Sequence, residues 1–134
     1  MTKKKLLHTW IKNVALETTK SLKIKKSLSL VVVGQAKIKK INFLYRQKNK
    51  PTDVLSFEGE GELLGEIFLC WPIAKKQAKQ YSLTLKEELA RLIIHGILHL
   101  LGYDHEKGEQ ESKKMFDLQD KLLGRFTKKY VSTT

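Results

Sequence analysis

The sequence predicts a single α+β domain, and three observations carry that prediction. Apolar residues recur at helical spacing near both ends of the chain: Leu6, Leu7, Trp10, Ile11 and Val14, then Met115, Phe116, Leu118, Leu122 and Leu123. Three short runs rich in branched or aromatic residues read as strands: Leu28 to Val33, Val54 to Phe57 and Leu64 to Cys70. Between Leu85 and Leu101 lies a segment apolar on most faces, which reads as a central, largely buried helix. A chain of 134 residues suits one domain and can bury a core without disulfides. It contains no repeat, low-complexity block or linker, so residues 1–134 are taken as one domain.

Taken in order, the N-terminal amphipathic helix leads into the first strand, which Gly34 ends. Residues 35–45 form a second helix with Ile38, Ile41, Leu44 and Tyr45 facing inward. Lys50-Pro51-Thr52-Asp53 is a turn, and the two following strands, joined by the acidic, glycine-containing segment Glu58 to Glu62, suit a hairpin. Pro72 opens a helix that runs to about Tyr81. Thr84-Leu85-Lys86-Glu87 matches a capping box, in which the threonine and glutamate satisfy each other's free backbone N–H groups. Gly102 falls where a left-handed helix stop belongs. A last helix covers about 109–123, and Arg125 to Thr134 read as a loose tail.

The net charge is +12, and its distribution says more than its total. Residues 1–50 carry fourteen Lys or Arg and one acid, Glu17; residues 51–134 are close to neutral. Such asymmetry points to a polyanion, with nucleic acid ahead of a membrane surface; the plainer account is a solvated lysine-rich face. Cys70 is the one cysteine, so no intramolecular disulfide can form, in keeping with a reducing cytoplasm. Lys3-Lys4-Lys5 is followed by two leucines and then polar His8 and Thr9, without the apolar core of a signal peptide. No apolar run is long enough to span a membrane.

Three of the four histidines fall within eleven residues, His95 to His105. His95 and His99 are four apart on a helix, so their imidazoles leave one face about a turn apart. Gly102 can turn the chain through a positive φ and bring His105 back to the same point. Three neutral imidazoles on one zinc ion leave a fourth position open, the arrangement of a catalytic site. His8, in the basic N-terminal helix, reads as a surface residue. The spacing resembles that of the metzincin metalloproteases, but their general base is a glutamate directly after the first histidine. Here that position is Gly96, which cannot take a proton, and the peptidase reading loses its base.

Several blocks in order resemble the YbeY family of bacterial endoribonucleases, the rRNA maturation factors. Asn42-Phe43-Leu44-Tyr45-Arg46 resembles its LNxxYR element, Lys50 to Phe57 its KPTDVLSF element and Leu64-Gly65-Glu66-Ile67 its LGDI element. His95 to His105 matches its HGxLHLxGYDH signature throughout, and the resemblance spans roughly residues 40–115. It departs in lacking the usual proline after Phe57 and in carrying Glu66 where Asp is common. The resemblance implies a four-stranded mixed sheet flanked by helices, with a central metal-binding helix, distantly metzincin-like. It implies one Zn²⁺ per chain on His95, His99 and His105, and an arginine important for activity at Arg46. It also implies metal-dependent cleavage of single-stranded RNA, tied to 16S rRNA 3′-end maturation and ribosome quality control. The implied partners are ribosomal RNA, the small ribosomal subunit and assembly factors, in the cytoplasm.

Zinc brings the pKa of a coordinated water from about 15.7 to about 7, which supplies hydroxide near neutral pH. That hydroxide can attack phosphorus directly or deprotonate a ribose 2′-OH, and the sequence leaves both routes open. Arg46 is the candidate phosphate clamp, one of three arginines among 23 lysines, because a guanidinium fork binds phosphate oxygens bidentately. Asp104 can orient a histidine ligand or cap the bend after Gly102. Glu66 can reach the metal cleft or face solvent. Asp53 reads as a turn residue, and Tyr103 and Met115 as packing. Two other functions compete: a non-catalytic ribosome-assembly factor with a structural metal, and a metal hydrolase acting on a substrate other than RNA, peptides included.

Overall fold

The computed structural model describes residues 3–126, with side chains from Leu7 onward. Among these residues are five helices, α1 (Lys3–Ser21), α2 (Gln35–Arg46), α3 (Trp71–Gln80), α4 (Leu85–Leu100) and α5 (Glu109–Leu123). Three strands, β1 (Ser27–Val33), β2 (Val54–Glu58) and β3 (Leu63–Cys70), form one sheet in the order β1-β3-β2. β1 runs parallel to β3 and β2 antiparallel to it, so the expected hairpin forms and the sheet is mixed. The expected fourth strand is absent among the described residues. It was implied by resemblance and had no alternating apolar run of its own. Between α1 and β1 lie only five residues, three of them lysine. The first two residues of the expected loose tail, Arg125 to Thr134, are instead held: Arg125 donates to Ser21 Oγ and Phe126 packs edge-on against Trp10, while the rest lies outside the described residues.

Alternation along the strands divides the molecule into layers. Leu28, Leu30, Val32, Ile67, Leu69 and Val54 face one side, where they join the core built on α1, α4 and α5. Val33, Leu55, Phe57, Phe68 and Cys70 face the other side, covered by Ile38 and Ile41 of α2. Central α4 is buried on most faces, as its composition predicts. Its start is fixed by the capping box: Glu87 N donates to Thr84 Oγ1 (3.1 Å) and Thr84 N to Glu87 Oε1 (2.9 Å). Its end is a Schellman turn, with Gly102 at φ +99°, Gly102 N on His99 O and Tyr103 N on Leu98 O.

Two inward assignments on α2 are overturned. Ile38 is buried and Ile41 half-buried, but Leu44 and Tyr45 are exposed. The buried position of the last turns is Asn42, whose side chain donates to Lys50 O (3.0 Å) and ties the helix end to the following turn. The last turn reaches only the outer strand, where Tyr45 lies against Phe57, so the apolar stripe has no sheet left to cover it.

Candidate active site

The site is built where α4 crosses the sheet. Position 96 faces the strands: a Cβ there would stand 2.9 Å from both Ile67 Cδ1 and Ser56 Oγ. Glycine therefore lets α4 lie close on β2 and β3. This is a second reason for the residue that removes the peptidase base. Arg46 reaches β2 from the opposite layer. Its Nη2 donates to the carbonyl of Ser56 (3.3 Å), and its guanidinium sits 5.7 Å from the centre of the Phe57 ring. Ser56 thus meets the histidine helix with its side chain and Arg46 with its backbone.

His95 is half-buried, and its Nδ1 lies 2.8 Å from Oε1 of buried Gln119 on α5. With the amide oriented so that its oxygen faces the ring, Nδ1 carries the proton and Nε2 keeps the lone pair. Burial is the largest influence on this imidazole and lowers its pKa; the Gln119 bond opposes it, while His105 and Arg91 add to the lowering. The ring is therefore held neutral, the state in which it can bind a metal. His105 comes back after Gly102 as expected, with its ring centre 5.5 Å from that of His95, and Phe116 lies beside both. His99 is exposed one turn further along α4. Among the described residues no three His, Cys, Asp or Glu side chains stand as a preassembled metal cage. The donor set nevertheless suits a nitrogen-preferring ion such as zinc: one neutral imidazole fixed by a buried amide, with two exposed imidazoles in the same segment.

The remaining candidates fall into place. Asp104 accepts from Glu106 N (2.8 Å) and caps the bend. Glu66 points to the other face of the sheet and accepts from Ser29 Oγ (3.0 Å). Asp53 holds its turn through Val54 N (2.8 Å). Tyr103 packs against the core and Met115 is part of it, while His8 is exposed.

Residues that the sequence reading passed over complete the surroundings. Glu88, fully buried on α4, accepts from Arg91 Nε (2.6 Å) and Nη2 (2.8 Å). The Gln77 amide of α3, with its nitrogen toward the carboxylates, reaches Glu88 Oε2 (2.7 Å) and Asp53 Oδ2 (3.3 Å). This network begins at Glu88, two turns before His95, and fastens α3, α4 and the β2 turn together. Its signal in the sequence is a glutamate next to Leu89 at the start of the apolar run of α4, three residues before an arginine. Gln119 had a signal of the same kind, a polar residue at i+4 from Met115 on the apolar stripe of α5.

Fold and cluster together are those of a small α+β enzyme. The chain belongs to the YbeY endoribonuclease family: the family profile described as Endoribonuclease YbeY matches residues 1–127. Among similar proteins, the Endoribonuclease YbeY of Sulfurihydrogenibium sp. (strain YO3AOP1) is 48% identical over 106 residues, covering 75% of this chain and 70% of that one. That of Bdellovibrio bacteriovorus is 39% identical over 132 residues, covering 94% and 88%. The solution structure of TM1509 from Thermotoga maritima matches with a TM-score of 0.70 at 33% identity, over 99% of this chain and 89% of that one. No helix among the described residues is long and apolar enough to cross a membrane.

Proposed function

We propose that this protein is a zinc-dependent endoribonuclease that cuts single-stranded RNA in 16S rRNA 3′-end maturation and ribosome quality control. The proposed setting is the cytoplasm, with the small ribosomal subunit and its assembly factors as partners. The observation that carries the reading is the fixed, neutral His95, its Nε2 free, on a helix that touches the strand holding Arg46. His95, His99 and His105 would hold the ion. Bound there, zinc would polarise a phosphoryl oxygen and acidify a water.

The chain's own residues do the rest. Gln119 keeps the His95 proton on Nδ1 and orients the ring. Arg46 uses one nitrogen on Ser56 O, which positions the remaining N–H donors for a phosphate oxygen. The lysines of residues 1–50 supply sequence-tolerant, salt-sensitive attraction to the RNA backbone. Chelator-treated protein, tested on single-stranded RNA with and without added zinc, decides the matter. Cleavage should depend on zinc and vanish in His99→Ala. Cleavage that persists in that variant would expose a contaminating nuclease. RNA binding without cleavage in either condition would favour a non-catalytic assembly factor. A 2′,3′-cyclic phosphate on the product would identify the ribose 2′-OH as nucleophile; a 5′-phosphate product would rule that route out.

A further inference from the structure

We propose that Tyr45, braced on Phe57, is a stacking platform for an unpaired nucleobase beside the phosphate held by Arg46. The inference rests on the endoribonuclease reading and names a substrate subsite for it. Tyr45 is 70% exposed, yet its position is fixed: its ring centre is 5.3 Å from that of Phe57 at a 58° tilt. Phe57 is itself braced edge-on by Phe68 at 5.9 Å. The same Phe57 ring carries the Arg46 guanidinium at 5.7 Å. One aromatic residue therefore sets the positions of both a cation and an open π face, so the two act as a unit.

An exposed tyrosine on the last turn of a helix is by itself ordinary. Here it is the neighbour of the proposed phosphate clamp, with half-exposed Phe43 two residues before it. The outward side of α2 adds a hollow of about 590 Å³ lined by Lys37, Lys39, Lys40 and Phe43. No carboxylate occurs between Glu17 and Asp53. A π face beside a guanidinium suits a base joined to phosphates; the acid on the same sheet face, Glu66 opposite Phe57, is engaged by Ser29 Oγ. Base-on-aromatic stacking also tolerates any sequence, because every base has a π face.

The test is equilibrium binding by fluorescence anisotropy, using chelated protein so that the labelled single-stranded RNA stays intact. Tyr45→Ala should weaken binding about 5- to 100-fold, the range of losing one stacked base. Tyr45→Phe and Tyr45→Trp should stay within about twofold of wild type, since the stacking face is kept. An abasic sugar–phosphate oligomer of equal length should bind wild type and Tyr45→Ala alike. The slope of log affinity against log salt should be unchanged in Tyr45→Ala, because no phosphate contact is lost. A thermal melt matching wild type would show that the exposed substitution leaves the fold intact. If Tyr45→Ala binds RNA as wild type does while Arg46→Ala is impaired, the platform is wrong, the endoribonuclease reading stands, and the surface belongs to a protein contact. If wild type neither binds nor cuts RNA, both fail together.

Discussion

Replacing Arg91 with methionine keeps most of the side-chain volume and removes one partner of a buried ion pair. The carboxylate left behind is Glu88, 0% exposed, which loses two charge-assisted bonds of 2.6 and 2.8 Å. Breaking such a pair from one side typically costs about 3–5 kcal/mol, mostly the penalty of a stranded charge. The Gln77 amide still reaches Glu88 Oε2 at 2.7 Å, which places the loss at the lower end, about 3 kcal/mol. Taking ~4 °C per kcal/mol for a domain of this size, the melting temperature should fall by about 12 °C. The reverse substitution, Glu88→Gln, should cost only about 1–2 kcal/mol. The Arg91 side chain is 28% exposed, so its freed N–H groups can find water, and the glutamine oxygen still accepts. The double variant Arg91→Met/Glu88→Leu should regain much of the loss, since no charge is then stranded. Urea titrations of the three variants measure the free energies, and thermal melts the shift in melting temperature. Equal losses in the two single variants, or a double variant less stable than Arg91→Met, would refute the argument that desolvation of Glu88 dominates.

Other consequences are as direct. Gln119→Leu should fold but bind zinc about 10–100-fold more weakly, as measured by competition with a chromophoric chelator, because the His95 ring loses its orienting partner. In metal-free protein the lowered pKa of His95 means that the unfolded chain takes up a proton more readily than the folded one. Stability should therefore fall as pH drops below about 6.5 and continues through the folded value. Urea midpoints between pH 7.5 and 5 should fall more steeply for wild type than for His95→Gln; parallel curves would remove the assignment. Gly102→Ala forces a side chain into φ +99° and should cost about 1–2 kcal/mol in a thermal melt, while weakening zinc binding by displacing His105.

What could be read beforehand was local. The Thr84–Glu87 box, the Gly102 stop and the β2–β3 hairpin each depend on residues close in sequence, and each formed as the pattern indicates. The signature from His95 to His105 put three imidazoles in one segment, and Gly102 explains how His105 returns to His95. What could not be read was long-range. The parallel pairing of β1 with β3 joins segments separated by a helix and a strand, and no spacing rule announces it. Tyr45 fits an apolar stripe in sequence, but whether a sheet lies beneath the last turn depends on how far β2 extends. Gln119 and Glu88 are polar residues on the buried faces of their helices; their purpose appears only when His95 and Arg91 are seen beside them.

The sheet order β1-β3-β2 also governs the sequence of events during synthesis. β1 leaves the ribosome early, yet its pairing partner is β3, and the apolar face of α1 waits for α4, later still; Trp10 Nε1 reaches Lys86 O at the start of that helix. Pairing across such distances slows folding, because loop closure precedes any gain in contacts. Until α4 has been made, the nascent chain exposes a segment with fourteen cationic residues and one acid. Completing the histidine helix is therefore what lets the cationic N-terminal segment bury its apolar face.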